Sequence, residues 1–380
     1  MRTEPLYILA VLSLFIAISD LLVRRTWLRH LGTALLVILV TALAANLGVL
    51  PAGSSEAAPV PVYDAIFTYV APLAIFWLLL LVNLRDIMRA GLPIVALFLV
   101  GAIGVVLGAF VAAAAFRFDS PLFAPVAGMF VGTYIGGSIN FNAIALSYGV
   151  MRDGVLYAGA VAVDNVVTTI WMVATLAAPR LLAPFWGGHV RAAAPVDTSD
   201  MAGVAQDTES VHPLDIALLA TLGLASLLIS NVIATRTGIP SIILVTTLAL
   251  VLAQLPLVAR LRGARVLGMF AVYLFLAVIG AFCDVRQLAA LGGLGLVLLG
   301  FATTIVLVHG AVIFLAARAL RIDVHVAAVA SQANVGGGTS ALAVARSIGR
   351  SDLVLPAVLI GSLGNALGTY IGFWVVANLT

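Results

Sequence analysis

The sequence predicts an all-α polytopic membrane protein that is built from two repeats. Three observations lead to this fold class. Only 9% of the 380 residues are charged and 63% are hydrophobic, whereas ordinary soluble domains hold roughly 25% charged residues. Apolar runs of about 20 residues, the length that spans a bilayer, follow one another along the chain. Finally, two glycine-interrupted apolar segments lie 200 residues apart.

The two glycine-interrupted segments resemble each other. The first reads VGTYIGGSINFNAIALSY over 131–148, and the second reads SQANVGGGTSALAVARSI over 331–348. At a fixed offset of 200 the matching pairs are Gly136 with Gly336, Gly137 with Gly337, Asn140 with Ser340, Asn165 with Asn365 and Thr169 with Thr369. Breaks at matching places in two halves of a membrane protein are the best sequence indication of a transporter's binding site.

The remaining apolar runs supply five spans in each half. In the first half these are 5–23, 31–50, 63–83, 92–115 and 154–178, with the first interrupted segment at 121–149. In the second half they are 213–233, 240–256, 265–282, 291–317 and 353–378, with the second interrupted segment at 325–347. The stretch 179–212 is polar and rich in Gly, Ala, Ser and Asp, which predicts a flexible linker. The expected units are therefore a first repeat at 1–178, the linker, and a second repeat at 213–380.

The arginines indicate how these segments meet the membrane. All 19 basic residues are Arg, and short cytoplasmic loops of membrane proteins carry an excess of positive charge. If both interrupted segments cross the bilayer, giving 12 crossings, ten arginines fall inside and nine outside. If each is a re-entrant hairpin, leaving 10 crossings, fourteen fall inside and five outside. The second arrangement is favoured. Its odd number of crossings per half makes the repeats inverted and puts both chain termini outside, and 12 crossings are the alternative.

The single cysteine, Cys283, excludes a disulfide within the chain and a cysteine-based metal site. The arrangement with 10 crossings places it near the outer face, and the one with 12 crossings places it near the inner face. Labelling of Cys283 by an impermeant maleimide is therefore expected to separate the two arrangements.

The residues around the two breaks form the predicted substrate site. Glycine lets the helix unwind and lets a solute approach the backbone, and helix N-termini at the hairpin tips present free amide groups that suit a carboxylate or another anion. The candidates are Gly136, Gly137, Ser138, Asn140, Asn142, Gln332, Asn334, Gly336, Gly337, Gly338, Thr339 and Ser340. The alternative is that the glycines only permit close packing of membrane helices.

Asp164 is the candidate for the coupling-ion site. It is the carboxylate expected at mid-membrane, within span 154–178, where an ionisable group is costly and points to a proton carrier or a ligand for Na⁺. The other oxygen-bearing candidates lie beside it or on the matching segment: Asn165, Thr168, Thr169, Ser362, Asn365 and Thr369. The alternative is that Asp164 pairs with a buried arginine or caps unwound backbone.

Two further polar residues have competing interpretations. His309 lies within span 291–317 and is either a member of a proton relay or, as the favoured interpretation, a packing residue whose ring nitrogens are satisfied. Arg346 stands where the first interrupted segment has Leu146. It either anchors the topology like the other arginines or attracts an anionic solute from the cytoplasm.

The motifs VGTYIGGSINFNAIA, AVDNVVTTIW and SQANVGGGTSALAVA resemble the membrane family catalogued as domain of unknown function 819, over nearly the whole chain. That family is grouped with the cation/proton antiporter and anion transporter superfamily, which includes sodium/glutamate symporters. The resemblance implies inverted repeats of five helices and an elevator-like motion. The interrupted segments with spans 154–178 and 353–378 would form the mobile core, and the earlier helices of each half (to 115, and 213–317) a scaffold and homodimer interface. It also implies that Asp164 and Asn165 correspond, in reverse order, to the Asn-Asp or Asp-Asp pair that antiporters of this superfamily often carry in a core helix, which leaves the direction of exchange open.

These observations predict an ion-coupled secondary transporter, driven by Na⁺ or H⁺, for a small organic and anionic solute. A rival is a cation/proton antiporter with no organic substrate, and a rival of another class is a membrane enzyme or assembly scaffold. The sequence contains no HExxH motif, no Walker loop and no clustered His/Asp metal set, so we expect no enzymatic activity and no cofactor beyond the coupling ion. The expected surroundings are the lipid bilayer of a bacterial inner membrane. The expected partners are the solute and a second copy of the chain, and not nucleic acid, because the arginines report topology.

Overall fold

The computed structural model describes residues 3–26, 32–54, 59–82, 84, 87–186, 211–283 and 291–379, and these fold into helices joined by short turns, with no strand among them. Seven helices belong to the first half: α1 Pro5–Arg25, α2 Gly32–Asn46, α3 Pro61–Leu79, α4 Leu92–Ala115, α5 Phe123–Gly136, α6 Ser138–Ser147 and α7 Gly154–Leu182. Besides the single helical turn Pro256–Ala259, seven follow among the described residues of the second half: α8 Pro213–Thr237, α9 Ser241–Ala253, α10 Ala264–Ala281, α11 Leu291–Ala319, α12 Val324–Val335, α13 Gly337–Ser347 and α14 Val354–Leu379.

Among the described residues, eight helices are long and apolar enough to cross a membrane, namely α1, α3, α4, α7, α8, α10, α11 and α14. Helices α2 and α9 are apolar but shorter. The protein is therefore a multi-pass membrane protein, as the composition predicts. The linker starts after its predicted first residue, 179, because α7 continues through Pro179 to Leu182. Most of the linker, residues 187–210, lies outside the described residues.

Local sequence accounts for many of the helix ends. Proline stands in the first turn of α1, α3, α4 and α8, where its missing N–H costs nothing. The carboxylate of Asp153 accepts a hydrogen bond from the backbone N–H of Leu156 and so caps α7. Asp323 caps α12 in the same way through the N–H of His325. These caps satisfy amide groups that the helix itself leaves without a partner.

Each glycine-interrupted segment is a helical hairpin. In the first, α5 and α6 fold back on each other so that the rings of Phe130 and Phe141 lie 6.2 Å apart. The reversal occurs at Gly137, whose φ of +95° is in the region that favours glycine. Gly337, which has the matching place in the second segment, has a φ of +77°. The glycine pairs found in the sequence are thus the turning points of two hairpins.

A buried ion pair closes the base of the second hairpin. Arg350, which follows α13, contacts Asp323, which precedes α12, with 2.5 Å between Nη1 and Oδ2. Helix α12 alone has 12 residues and is about 18 Å long, so the two ends can meet only because the segment turns back. Arg350 also binds Asp352 at 2.7 Å. Burial would raise the pKa of Asp323, but hydrogen bonds from His325 and Arg350 outweigh it and hold this pKa below its usual range.

The helices with matching places in the two halves run in opposite directions where they touch. Helices α4 and α11 are antiparallel, because Gly104 lies against His309 and Gly108 lies against Ile305. Helices α3 and α10 are antiparallel as well. Leu78 contacts Gly268 near one end of this pair, and Phe67 meets Phe282 at the other, with ring centroids 5.6 Å apart.

Helices α2 and α10, in contrast, run parallel. Gly280 packs against the backbone of Ile38 and the side chain of Thr41. Farther along both helices in the same direction, the Asn46 amide donates to the carbonyl oxygen of Cys283 at 2.8 Å. The contact points therefore advance in the same direction along the two helices, so α2 of the first half and α10 of the second half run parallel.

Helix α5 packs against α14 through a seam of glycines. The facing pairs are Gly128 with Gly372, Gly132 with Gly368 and Gly136 with Gly364. In each pair, a backbone carbonyl oxygen of one helix lies against the glycine of the other helix. Spacings of four residues on both helices bring the backbones together without side chains between them. The packing interpretation of the glycines therefore holds at Gly136, while Gly137 serves the turn.

Candidate functional site

The candidate site lies where the two hairpins meet α7 and α14. Helix α5 of the first hairpin packs on α14, and helix α12 of the second hairpin packs on α7. The first hairpin thus lies mainly against α14, whereas the second contacts α7 through α12 and α14 mainly through α13, and α5 and α12 also contact each other. This arrangement brings the turning points Gly137 and Gly337 and the polar residues of α7 and α14 into one region.

Asp164 faces hydroxyl groups of α5 and α7, and one of these groups also contacts α12. The hydroxyl groups of Thr133 and Tyr134, both on α5, point at its carboxylate. Thr168, one turn along α7, lies 3.5 Å from the carboxylate and 3.4 Å from the carbonyl oxygen of Val335, which ends α12. An arrangement of carboxylate, hydroxyl and carbonyl oxygens suits a hard cation or a proton and not a soft metal. Sequence reasoning singled out Asp164 and Thr168 but missed Thr133, Tyr134 and the Val335 carbonyl.

The Tyr134 hydroxyl is fully buried and is directed at Asp164 without making a hydrogen bond of normal length; among the described residues, buried side-chain atoms of Ser19, Thr41, Ser230, Thr246 and Gln332 also lack a partner. The side-chain nitrogen Nε2 of Gln332 is in the same condition, although the Oε1 atom of Gln332 accepts a hydrogen bond from Thr175 at 3.0 Å. A buried polar group without a partner costs about 1–3 kcal/mol. The unpartnered hydroxyl that faces Asp164 is consistent with a site that a ligand completes.

A stripe of polar side chains runs along the face of α7 that meets α12. Besides Asp164 and Thr168 it includes Trp171 and Thr175, so its members recur at helical spacing. The indole N–H of Trp171 donates to the Ser331 hydroxyl at 3.0 Å, and Thr175 donates to Gln332. The stripe fixes how α12 lies along α7 and therefore fixes the distance of the second hairpin from Asp164.

His309 extends this network to α4 and α11. Its Nδ1 atom lies 2.8 Å from the carbonyl oxygen of Gly101, and its Nε2 atom lies 2.9 Å from the Ser331 hydroxyl. A carbonyl oxygen can only accept, so Nδ1 carries the proton, and Ser331 donates to Nε2 while accepting from Trp171. Every ring nitrogen is satisfied when His309 is neutral. This geometry supports the packing interpretation of His309 over a proton relay.

The asparagines of the first hairpin are committed to protein contacts. Asn140 is fully buried, accepts a hydrogen bond from Thr369 at 2.7 Å, and directs its amide nitrogen to the carbonyl oxygen of Gly364 at 3.5 Å. Asn142 accepts a hydrogen bond from the Tyr157 hydroxyl. These two predicted substrate residues therefore tie the hairpin to α14 and α7.

In the second hairpin the polar residues are divided between two environments. Asn334 is fully buried and, with its amide oriented to donate, lies 3.2 Å from the carbonyl oxygen of Phe98 on α4. Ser340 donates to the carbonyl oxygen of Gly337 at 3.0 Å and remains partly accessible. Thr339, at the N-terminus of α13, is exposed, as is Ser138 at the N-terminus of α6. The accessible hydroxyl groups thus stand at the two turning points.

The other glycines of the site have distinct surroundings. A Cβ atom on Gly336 would overlap the side chains of Gln332 and Ser340, so these two groups converge there. Gly338 lies against Gly361 of α14 at backbone distance. Gly337 has nothing within 4 Å of where its Cβ would be. The second hairpin therefore packs tightly on both sides of a buried turning point that has free space on its Cβ side.

The structure does not bring every predicted ion-site residue to Asp164. Thr169 lies on the exposed side of α7, where its hydroxyl donates to the Asn165 carbonyl at 2.6 Å. Asn165 is partly accessible beside it. Ser362 and Asn365 are partly accessible on α14, and Asn365 is the side chain nearest to Gly137, with its Oδ1 atom 4.0 Å from where a Cβ would stand. Arg346 is exposed in the last turn of α13. Among the described residues, no three His, Cys, Asp or Glu side chains come together.

Comparison with known proteins agrees with the resemblance noted in the sequence. The family model described as "Protein of unknown function (DUF819)" matches residues 8–380. A similar protein is the "Uncharacterized membrane protein YjcL" of Bacillus subtilis (strain 168), with 29% identity over 370 residues. The match covers 92% of this chain and 90% of that protein.

Proposed function

Since the chain belongs to the DUF819 family of membrane proteins, we propose that it is a secondary transporter in which Na⁺ or H⁺ drives the movement of a small organic, anionic solute. The observation that carries this proposal is the meeting of two helical hairpins at Asp164. Interrupted helices at membrane depth are tolerated where they line a cavity, and a carboxylate beside them is the usual mark of an ion pathway. A protein that only packs helices would need neither feature.

We further propose that both hairpins are re-entrant, which leaves 10 crossings and inverts the repeats. Helix directions support this arrangement. If the hairpins do not cross, five crossings lead from α4 to α11 along the helix order, and the two helices must be antiparallel. If both interrupted segments cross, the number becomes six and the helices must be parallel. Contacts of Gly104 and Gly108 with α11 favour the first case.

Two other helix pairs give the same answer. From α3 to α10 the re-entrant arrangement again counts five crossings, in agreement with their antiparallel packing. From α2 to α10 it counts six, in agreement with their parallel packing. By the arginine distribution the first hairpin opens to the outside and the second to the cytoplasm of a bacterial inner membrane.

The solute is expected to bind at the two turning points. Helices α6 and α13 begin there, and their first N–H groups and dipoles favour negative charge. The accessible hydroxyl groups of Ser138 and Thr339 and the unpartnered amide nitrogen of Gln332 add donors. Such donors suit a carboxylate of modest size. Asp164 with Thr133, Tyr134 and Thr168 forms the coupling-ion site beside it.

Alternating access then requires the hairpins to move relative to the outer helices. The hydrogen bond of His309 to Ser331 and that of Asn334 to Phe98 connect α11 and α4 to the second hairpin. A motion that left α4 and α11 behind would break both buried contacts. We therefore assign α4 and α11 to the mobile core, and α1–α3 with α8–α10 to the scaffold and homodimer interface. This division differs from the one drawn from the sequence, which ended the scaffold after α4 and α11.

The ligand dependence of thermal stability tests the proposal. A ligand that binds only the folded state stabilises it by about 2.7 kcal/mol at 100 times its dissociation constant. The purified protein is heated in NaCl and in choline chloride, at several pH values, with a panel of amino acids and carboxylates. We expect a sodium-specific or pH-specific rise in melting temperature that Asp164→Asn abolishes, and a further rise with the transported solute.

Two neighbouring threonines give a matched control. Thr168→Val removes a hydroxyl that faces Asp164, whereas Thr169→Val removes one on the exposed side of the same helix. The first change is expected to weaken the ion-dependent rise, and the second to leave it intact. A response to Na⁺ or pH with no organic solute that adds to it would favour the cation/proton antiporter. Indifference to every ligand, with Asp164→Asn behaving as wild type, would contradict the transporter and favour an enzyme or scaffold.

A further inference from the structure

The two halves supply matching positions for the coupling-ion site, but the chemistry at the two positions differs. The offset that pairs the two interrupted segments also pairs the turning points Gly137 and Gly337, with φ of +95° and +77°, and the loop residues Gly149 and Gly349, with φ of +69° and +71°. Backbone conformation thus supports the correspondence at the tip of each hairpin and just after it. At this offset Asp164 corresponds to Gly364, and Thr168 corresponds to Gly368.

No side chain fits at the counterpart of Asp164. A Cβ atom on Gly364 would overlap the carbonyl oxygen of Ile135 and lie 2.9 Å from the Cα atom of Gly136. A Cβ atom on Gly368 would lie 2.8 Å from the carbonyl oxygen of Gly132. Real Cβ atoms do not approach backbone this closely, so the glycines are required by the contact with α5. The second half therefore has no room for a carboxylate.

The amide of Asn140 fills the remaining space. Its Cγ atom is 2.8 Å from where a Cβ of Gly368 would stand. Its nitrogen points at the Gly364 carbonyl, and its oxygen accepts from Thr369. The amide N–H group of Asn140 thus stands where a cation would have to bind the carbonyl oxygen of Gly364. The side-chain oxygen of Asn140 is also engaged, because it accepts the hydrogen bond from Thr369. The position is filled, neutral and fully buried.

The position in the first half has the opposite character. Ser340, the counterpart of Asn140, is shorter and turns its hydroxyl to its own hairpin at Gly337. This leaves the carboxylate of Asp164 facing hydroxyl groups, and the Tyr134 hydroxyl is buried without a hydrogen-bond partner among the described residues. A carboxylate and a hydroxyl group without a partner in one place are what a bound cation or proton would stabilise.

From this contrast we propose that each chain binds a single coupling ion, at Asp164, and that the Asn140 side chain permanently fills the corresponding place in the other half. The inference rests on the proposed function, because it assigns a stoichiometry to the site proposed there. It predicts that transport couples one ion to each solute per chain. It also assigns Asn140 a role distinct from solute binding, namely to replace a second ion.

Equilibrium binding of radioactive Na⁺ to the purified, full-length protein tests the count. Wild type is expected to bind one Na⁺ per chain with a hyperbolic dependence on concentration, and Asp164→Asn is expected to bind none. Thr369→Val removes the hydrogen bond to Asn140 without touching Asp164, so it is expected to lower the melting temperature and still bind one Na⁺. Proton release on sodium addition, measured in the same samples, reports whether Asp164 exchanges a proton for the ion.

Each result decides one point. Two Na⁺ per chain, or a sigmoidal dependence that Thr369→Val makes hyperbolic, would overturn the single-ion proposal and leave the transporter standing. One Na⁺ that Asp164→Asn retains would overturn the location. Wild type could instead bind no Na⁺ and take up one proton per chain, with Asp164→Asn taking up none. The proposal of one coupling ion per chain at Asp164 then holds, with a proton as the ion. If wild type binds neither ion, the single-ion proposal fails together with ion coupling, whereas a solute-dependent rise in melting temperature would still identify a transporter.

Discussion

Cys283 shows what burial does to a single side chain in this protein. Only 4% of the residue is exposed, and its thiol donates to the carbonyl oxygen of Gly154 at 2.9 Å. Burial, with a smaller contribution from the charge of Asp153, raises the pKa of the Cys283 thiol to about 12. Because the thiolate is the reactive form, the thiol stays protonated and inert at neutral pH. The labelling experiment suggested by the sequence therefore needs a different reporter.

We expect an impermeant maleimide to leave Cys283 unmodified in intact cells and in permeabilised cells alike. Both conditions leave the fold intact, so neither exposes the thiol nor lowers its pKa. Denaturation removes both protections, and labelling at pH 7 should then go to completion. Mass spectrometry of the intact protein measures the added mass. Rapid labelling of the folded protein would contradict the burial of Cys283.

For single residues, the sequence singled out the carboxylate of the candidate site but did not find all the groups around it. Asp164 was identified because a carboxylate within an apolar span is rare and costly. Thr133 and Tyr134 were not identified, because threonine and tyrosine are ordinary in membrane helices and nothing in the sequence says that α5 turns them toward α7. Thr169 was grouped with Asp164 by sequence proximity, yet a step of one residue beyond Thr168 rotates a helical side chain by about 100° and takes it to the exposed side.

At the scale of helices, the seam between α5 and α14 controls how the first hairpin is held. A Cβ atom on Gly136 would overlap the carbonyl oxygen of Gly364, which is backbone and cannot rotate away. Gly136→Ala is therefore expected to separate the two helices and to destabilise the protein by about 1–3 kcal/mol, the usual range for overpacking. The melting temperature of the purified protein measures this loss.

A glycine of α11 provides the control. Gly293 is exposed, and a Cβ atom there would have nothing within 4 Å. Gly293→Ala is expected to leave the melting temperature unchanged or to raise it, since alanine is favoured over glycine within a helix by roughly 0.5–1 kcal/mol. Equal melting temperatures for the two variants would contradict the proposed seam. Sequence alone could not distinguish these glycines, because their difference lies in what the opposite helix places against them.

The prediction of the helices from apolar runs was accurate because lipid demands a continuous apolar segment of defined length. Helix α4 begins and ends at the predicted residues 92 and 115. Helix α7 exceeds its predicted end, since a proline in the last turns removes one hydrogen bond without stopping the helix. The hairpins themselves were suggested by charge distribution. Their contacts, such as that between Asp323 and Arg350, join residues whose proximity the sequence does not encode locally.

For the whole molecule, the central question is on which side of the membrane each hairpin begins and ends. Four exposed positions with matched places in the two halves report it. Asp119 and Ser147 flank the first hairpin, and Ala319 and Ser347 flank the second. Cysteine is introduced at each in turn, with the buried Cys283 left in place as an inert internal reference. Intact cells are treated with an impermeant maleimide before and after permeabilisation.

The re-entrant arrangement requires both residues that flank one hairpin to be labelled from the same side. Cysteines at 119 and 147 are therefore expected to react in intact cells, and cysteines at 319 and 347 only after permeabilisation. If the interrupted segments crossed, 119 and 319 would react from outside and 147 and 347 from inside. That outcome would contradict the re-entrant arrangement and would require α4 and α11 to run parallel, against their observed packing. Labelling of 119 and 147 from the same side would support the inverted repeat, and the comparison of Asp164 with its counterpart in the second half depends on that repeat.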